Sequence, residues 1–280
     1  MTKSFSENHV SLAWSMFVAL ILLASWELAA RGSENILFLF SKPSQILSAL
    51  LAMAISGTLV VDMAVTTAEV LLGTAAGTVL GSALGLALWL STRTARIAAP
   101  FVVMAANFPI FALAPAAIVW LGIGLGMKVF LAAFATFFVS LQLAHRGAGE
   151  AVKQFTGVFD GFRAKRQDIY LKVIVPGAME SVFSAMRVNV GLGVLGAFIG
   201  EFIAADRGLG RAIVRASGLY QIDRVFAASL CIIVLASLLD RLAYGIQKEK
   251  LLLARAFGLP RVLRVHSKML KCEQKKELAG

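Results

Sequence analysis

Phe162-Arg-Ala-Lys-Arg-Gln-Asp-Ile-Tyr-Leu-Lys-Val-Ile-Val-Pro176 is a charged segment between long apolar runs, the next of which extends from Val182 to Ala205. Lys153, Arg163, Lys165, Arg166 and Lys172 interleave with Asp160 and Asp168, while Phe162, Ile169 and Val173 fall near one helical face. The whole stretch 146–176 is too long for a bare helix–helix turn. A short amphipathic helix ended by a proline can seat in a groove of a partner protein. A helix lying on lipid headgroups is the competing reading of the same pattern.

The flanking sequence sets the solvent. The chain has 280 residues, of which 59% are hydrophobic and only 15% charged, with a mean hydropathy of +0.80. A soluble domain of that size has no interior large enough for so much apolar surface, so lipid is the expected solvent. The net charge of +11 gathers in loops beside apolar runs, without aromatic interleaving, which argues against nucleic acid as a partner. Cys231 and Cys272 lie in unlike settings, and His9, His145 and His266 are far apart, so neither a disulfide framework nor a metal site is expected.

Apolar runs predict six spanning helices, near 11–30, 64–90, 98–121, 127–145, 180–204 and 225–246, the first of them an uncleaved span. Pro100, Pro109 and Pro115 should kink or break the third. Ile46, Leu47, Leu50 and Leu51 form one apolar face after Lys42-Pro43-Ser44, which predicts an interfacial helix over 41–59. With both termini inside, the inner side holds Lys3, Arg93, Arg96, the basic residues of 146–172 and all those from Arg241 onward. The outer side keeps Arg31, Lys42, Lys128, Arg207, Arg211, Arg215 and Arg224, a clear minority. That bias favours both ends in the cytoplasm. The expected organisation is an all-α polytopic membrane domain over 1–246, with the inner loop at 146–176, followed by a basic cytoplasmic tail over 247–280 that suits anionic headgroups.

Gly73, Gly77, Gly81 and Gly85 recur every four residues on one face of the second span, a pattern that admits another helix backbone. Phosphate-binding loops, HExxH and GxSxG are absent, so no catalytic residue is assigned. Glu69, Arg187 and Glu201 are isolated charges inside spans. Such residues are functional candidates, although Glu69 and Glu201 could snorkel to an interface.

Four stretches resemble the permease subunit of binding-protein-dependent ABC importers, in the nitrate/sulfonate/taurine-type branch. They are Ser41-Lys-Pro-Ser44; the glycine ladder with Ser91; Asn107-Phe-Pro-Ile-Phe-Ala-Leu-Ala-Pro-Ala-Ala-Ile-Val-Trp-Leu-Gly-Ile-Gly124 with Lys128; and Arg163 through Pro176 and Arg187 to Glu201 and Gly208-Leu-Gly210. Together they cover roughly residues 10–246. Registered on Pro176, Gly157-Val-Phe159 stands where that family has Glu-Ala-Ala and Arg163 where it has glycine. Ala164, the basic pair after it and Pro176 keep the pattern.

The resemblance implies a type I ABC importer permease, multi-pass in the cell inner membrane and not itself an enzyme. It would pair with a second permease copy, an ABC ATPase subunit that binds ATP and magnesium, and a periplasmic or extracellular solute-binding protein. The 157–172 segment would be the coupling helix, through Gly157, Phe162, Arg163, Ala164, Lys165, Arg166, Asp168 and Pro176. The solute path would involve Asn107, Pro109, Pro115 and Glu201, and the branch leans toward small anions. An ion-gradient-driven transporter is the alternative; it would need paired intramembrane carboxylates or inverted repeats, and neither is evident.

Overall fold

The computed structural model describes the backbone of residues 3–162 and 166–256 and the side chains of 14–153 and 167–249. Every regular element among them is helical. The order is α1 (Lys3–Gly32), α2 (Glu34–Phe40), α3 (Pro43–Ile55), α4 (Thr58–Leu88), α5 (Thr92–Ala106), α6 (Ile110–Leu121), α7 (Leu125–Phe162), α8 (Arg166–Ile169), a π-helical turn (Tyr170–Ile174), α9 (Val175–Ile203), α10 (Leu209–Gly218) and α11 (Ile222–Ala256).

Six stretches are long and apolar enough to cross a bilayer: Trp14–Gly32, Glu34–Ile55, Thr58–Leu88, Leu125–Lys153, Gln167–Ile203 and Ile222–Glu249. The predicted third span is not a rod. Ser91 caps α5 by accepting the Thr94 N–H at 3.2 Å, and the path then bends by 93° between α5 and α6. Pro109 has no N–H to continue a helix and disfavours helical backbone at Phe108, so the chain breaks there. The segment expected to lie in the interface also differs. Pro43 starts α3 at its first turn, and α2 with α3 supplies a stretch of spanning length in place of the broken pair.

The chain forms two compact units, one of residues up to Thr67 with Glu201–Leu235, the other of Ala68–Gly200 with residues from Ala236. In the first, Ile46, Ala49 and Ala227 form a small core against Trp26, Leu50, Met53 and Phe226. Glu27 accepts the Ser44 N–H at 3.1 Å and its hydroxyl at 3.0 Å, placing a carboxylate on the N-terminus of α3. In the second, polar residues enter an interior rich in alanine: Thr74, Thr78, Ser82, Thr136, Ser140 and Asn189 are buried, while large apolar Leu71, Leu72, Val79 and Leu80 face outward. That inversion suits lipid, where helices associate through close packing and hydrogen bonds rather than hydrophobic drive.

The glycine face of α4 lies on α7. A Cβ at Gly73 would stand 2.9 Å from the Val129 carbonyl oxygen, and one at Gly81 or Gly85 would stand 3.0 Å from the carbonyl carbon of Phe137 or Leu141. Real Cβ atoms do not approach backbone so closely. Gly196 on α9 meets α7 in the same way, 2.6 Å from the Ala132 Cα. Asn189 of α9 then donates to the hydroxyls of Thr78 at 2.8 Å and Ser140 at 2.6 Å, tying the three helices together inside the apolar region.

Candidate functional site: inner segment and buried carboxylates

The segment expected to be a separate docking helix is built from the ends of two long ones. Residues 157–162 are the last turns of α7, which runs unbroken for 38 residues. Arg163, Ala164 and Lys165 lie outside the described residues, and Arg166 opens α8. Pro176 does not end a helix either. It sits in the first turn of α9, and the turn before it widens so that the Val175 N–H reaches the Tyr170 carbonyl. A π-turn relieves the clash between a proline ring and the carbonyl four residues back, so the helical path continues through it.

An apolar base holds this segment. Ala144, Ala148 and Ala151 of α7 meet Ile174 and Ala178, with Trp89, Ile169, Tyr170 and Val182 packed around them. Trp89 and Tyr170 stack at 6.0 Å. A Cβ on Gly177 would lie 2.7 Å from the Ala151 Cβ, so small residues set this approach. On the other side Leu171 is exposed, and Asp168 pairs with Lys172 at 2.8 Å across one helical turn. The result is an anchored stub with an apolar side chain and a charged pair turned outward.

The isolated charges are not snorkelling. Glu69 is fully buried and forms an ion pair with Lys128, whose side chain is only 7% exposed. Gly200 makes room, since a Cβ there would lie 2.8 Å from the Lys128 Cγ. The topology count treated Lys128 as an outer loop residue; it stands instead in the first turn of α7, inside the protein. Opposite charges in two apolar helices were the available signal. Arg187 pairs with Asp240 at 3.1 Å and lies 5.0 Å over the Tyr244 ring, while Gln247 donates to Ser184 at 3.3 Å. These contacts lay a half-exposed polar strip along α9 and α11.

Glu201 is buried and holds backbone. It accepts the Gly210 N–H at 2.5 Å and the Thr66 hydroxyl at 2.6 Å. The same Thr66 oxygen accepts from the Leu209 N–H at 3.0 Å, and Asp62 accepts from the Gly208 N–H at 3.0 Å. Three consecutive N–H groups leading into α10 are thereby satisfied by side chains of α4 and α9. Gly208 has φ +121°, and a Cβ there would run into the Glu201 carboxyl, so glycine is required. Asn107, Pro109 and Pro115 lie apart from this cluster in sequence and role: Asn107 donates to the Val103 carbonyl at 2.7 Å at the end of α5, Pro109 caps α6 and Pro115 lies within it.

Glu201→Ala strands the buried Gly210 N–H, at a cost of about 1–3 kcal/mol, while the Thr66 hydroxyl can still donate to the Asp62 carbonyl at 3.0 Å. Hydrogen exchange over 208–218 is expected to speed up at least tenfold in that variant, with exchange over 125–145 unchanged. Equal protection of 208–218 in variant and parent would show that the carboxylate does not hold the loop.

Six helices long and apolar enough to cross a bilayer, with large apolar side chains turned outward, define a polytopic membrane protein. Residues 77–251 match the family described as the binding-protein-dependent transport system inner membrane component, and the chain belongs to that family. It is 30% identical to the putative aliphatic sulfonates transport permease protein SsuC of Escherichia coli, over 81% of this chain and 85% of that protein. It is 28% identical to the taurine transport system permease protein TauC of the same organism, over 80% and 82%. A probable ABC transporter permease protein of Haemophilus influenzae is 25% identical over 80% and 91%. Among solved structures, an inward-facing form of the MetNI methionine ABC transporter superposes with a TM-score of 0.62 at 17% identity, covering 70% of this chain and 97% of that one. The chain is thus an ABC importer permease subunit, multi-pass in the inner membrane.

Proposed function

We propose that this permease forms the path for a small organic or inorganic anion and is driven by a separate ABC ATPase seated on residues 157–172. The anchored stub carries the reading. Its base is locked into the α7–α9 core, so force applied at Asp168, Leu171 and Lys172 passes into spanning helices instead of bending a loop. ATP-driven closure of the ATPase pair changes the contacts available to this stub, and only such a difference between two states can shift the path from inward- to outward-facing. Two permease copies enclose the path, both termini lie in the cytoplasm, and a solute-binding protein delivers the cargo outside. The sulfonate and taurine relatives support an anionic cargo.

Lys165→Glu with Arg166→Glu tests the coupling role. The expected result is a permease that still purifies as a folded protein, loses at least nine-tenths of ATPase co-purification and no longer supports uptake. Parental co-purification and uptake in this variant would refute docking at this segment. Uptake that persists when the ATPase is deleted would refute ATP-driven import itself.

A further inference from the structure

Arg187 stands near the middle of α9, roughly 18 Å of helix from Val175 and 24 Å from Ile203 at about 1.5 Å per residue. A hydrocarbon core reaches only about 15 Å either side of its centre, so a helix of this length crosses it with Arg187 deep inside. Even so, the side chains of Arg187 and its partner Asp240 are 47% and 43% exposed. Tyr244, over whose ring the guanidinium lies, is exposed as well. Arg187, Asp240 and Tyr244 all belong to one compact unit. Nε of Arg187 donates to Asp240 Oδ1 at 3.1 Å, and the two terminal nitrogens make no hydrogen bond among the described residues. A guanidinium offers five N–H groups, so most of them are left for whatever covers this face.

Hydrocarbon is a poor cover, because a charge at that depth turns to water or to protein. A second copy pressed flat against the pair would leave those donors buried and unmatched, and a half-met polar network is worse than an apolar contact. Water satisfies them, and so does an anion that displaces the water. Gly191, one turn further along the same face of α9, is exposed, and a Cβ there meets nothing within 4 Å. One turn the other way, Ser184 receives the Gln247 amide at 3.3 Å, close to the end of the spanning stretch Ile222–Glu249. The polar seam therefore runs from mid-membrane to one end of a span, as the wall of a wetted path does.

We infer that Arg187 is the cation met by the anionic cargo inside the path, its terminal nitrogens donating to two oxygens of an oxyanion group. The inference rests on the anion path proposed above. A guanidinium fork matches such a group in two parallel hydrogen bonds, which an ammonium does not. Asp240 holds the fork through Nε and Tyr244 holds it through the ring face, so its plane is set before cargo arrives. Asp240 also cancels much of the charge, and a conducting site must bind well enough to admit its ion yet loosely enough to release it.

The test uses the full-length permease purified with its ATPase in nanodiscs of zwitterionic lipid, carrying Cys231→Ala and Cys272→Ala so that only introduced thiols react. Gly191→Cys is labelled with a sulfonate-bearing and with a quaternary-ammonium methanethiosulfonate of similar size. The sulfonate reagent should react at least fivefold faster than the cationic one. Arg187→Gln should remove that preference, and Asp240→Asn, which keeps the guanidinium, should raise it at least threefold. Leu238→Cys, on the other face of α11, should react at least tenfold more slowly with either reagent. A Gly191→Cys thiol that resists both reagents, with and without ATP, overturns the proposal, since the face is then covered. Equal rates for the two reagents in the parent overturn it too, as does a preference that survives Arg187→Gln. Elution of each variant complex is compared with the parent's, and Asp240→Asn still decides the matter if Arg187→Gln does not fold. Uptake is read in proteoliposomes from the same preparations: import without ATP hydrolysis, with the charge preference intact, would refute the ATPase-driven reading and leave the role of Arg187 standing.

Discussion

Gly77→Leu and Gly81→Leu are each expected to abolish the folded permease. At Gly77 even a single methyl group would overlap the Thr136 hydroxyl and the Ala133 carbonyl, and at Gly81 it would overlap the Phe137 carbonyl. The obstacle is backbone of α7, which cannot rotate aside as a side chain could. Overpacking a tight core typically costs about 1–3 kcal/mol even where neighbouring side chains can shift, and more where they cannot. With no side chain able to move aside, the strain takes a large share of the ~5–15 kcal/mol that usually holds a domain together. Size-exclusion chromatography of detergent extracts would read this as loss of the monodisperse peak. Gly191→Ala supplies the control, because a Cβ there meets nothing within 4 Å; its peak should match the parent's. A monodisperse Gly77→Leu protein would mean that α4 and α7 can separate without loss of the fold.

That contrast shows what periodicity conveys. A glycine every fourth residue marks a face on α4, but nothing in the spacing names α7 as the helix that meets it. The prolines of 100–115 were legible for a related reason, since a missing N–H acts locally wherever the chain goes. Pro176 shows the limit of the same rule. It reads as a helix end, yet one extra residue in the preceding turn absorbs the clash and the helix proceeds. The inner loop was legible as charged and amphipathic, but its construction from the ends of α7 and α9 depends on Ala148, Ala151 and Ala178 meeting across a long sequence separation.

Glu201 was visible as a lone charge, whereas its partners include a backbone N–H, a group that every residue except proline carries and no pattern singles out. Thr66 and Asp62 went unnoticed for the same reason. A hydroxyl or carboxylate near a helix start usually serves its own helix, and here both serve the start of α10. Orientation was the coarser inference: it used charge totals, so moving Lys128 from loop to interior leaves the bias intact.

Lys128→Met alone is expected to cost about 3–5 kcal/mol of stability, because it leaves the Glu69 carboxylate buried without its counter-charge. Glu69→Leu alone should cost a similar amount by stranding the ammonium. The double variant Glu69→Leu with Lys128→Met should recover most of that loss, or exceed the parent, since well-packed apolar residues of similar volume often replace a buried ion pair without penalty. Thermal unfolding of the three proteins in nanodiscs measures the coupling directly, and additive losses would show that the pair does not act as a unit. Transport then separates two roles. If the pair only anchors α4 to α7, the stable double variant imports solute as the parent does. If alternating access requires Glu69 and Lys128 to part, an apolar pair that holds equally well in both states lowers uptake even though the fold is at least as stable. The apolar region supplies the reason: opening an ion pair there exposes two charges that water cannot reach, so a pair that opens at all must do so only when the path itself admits water.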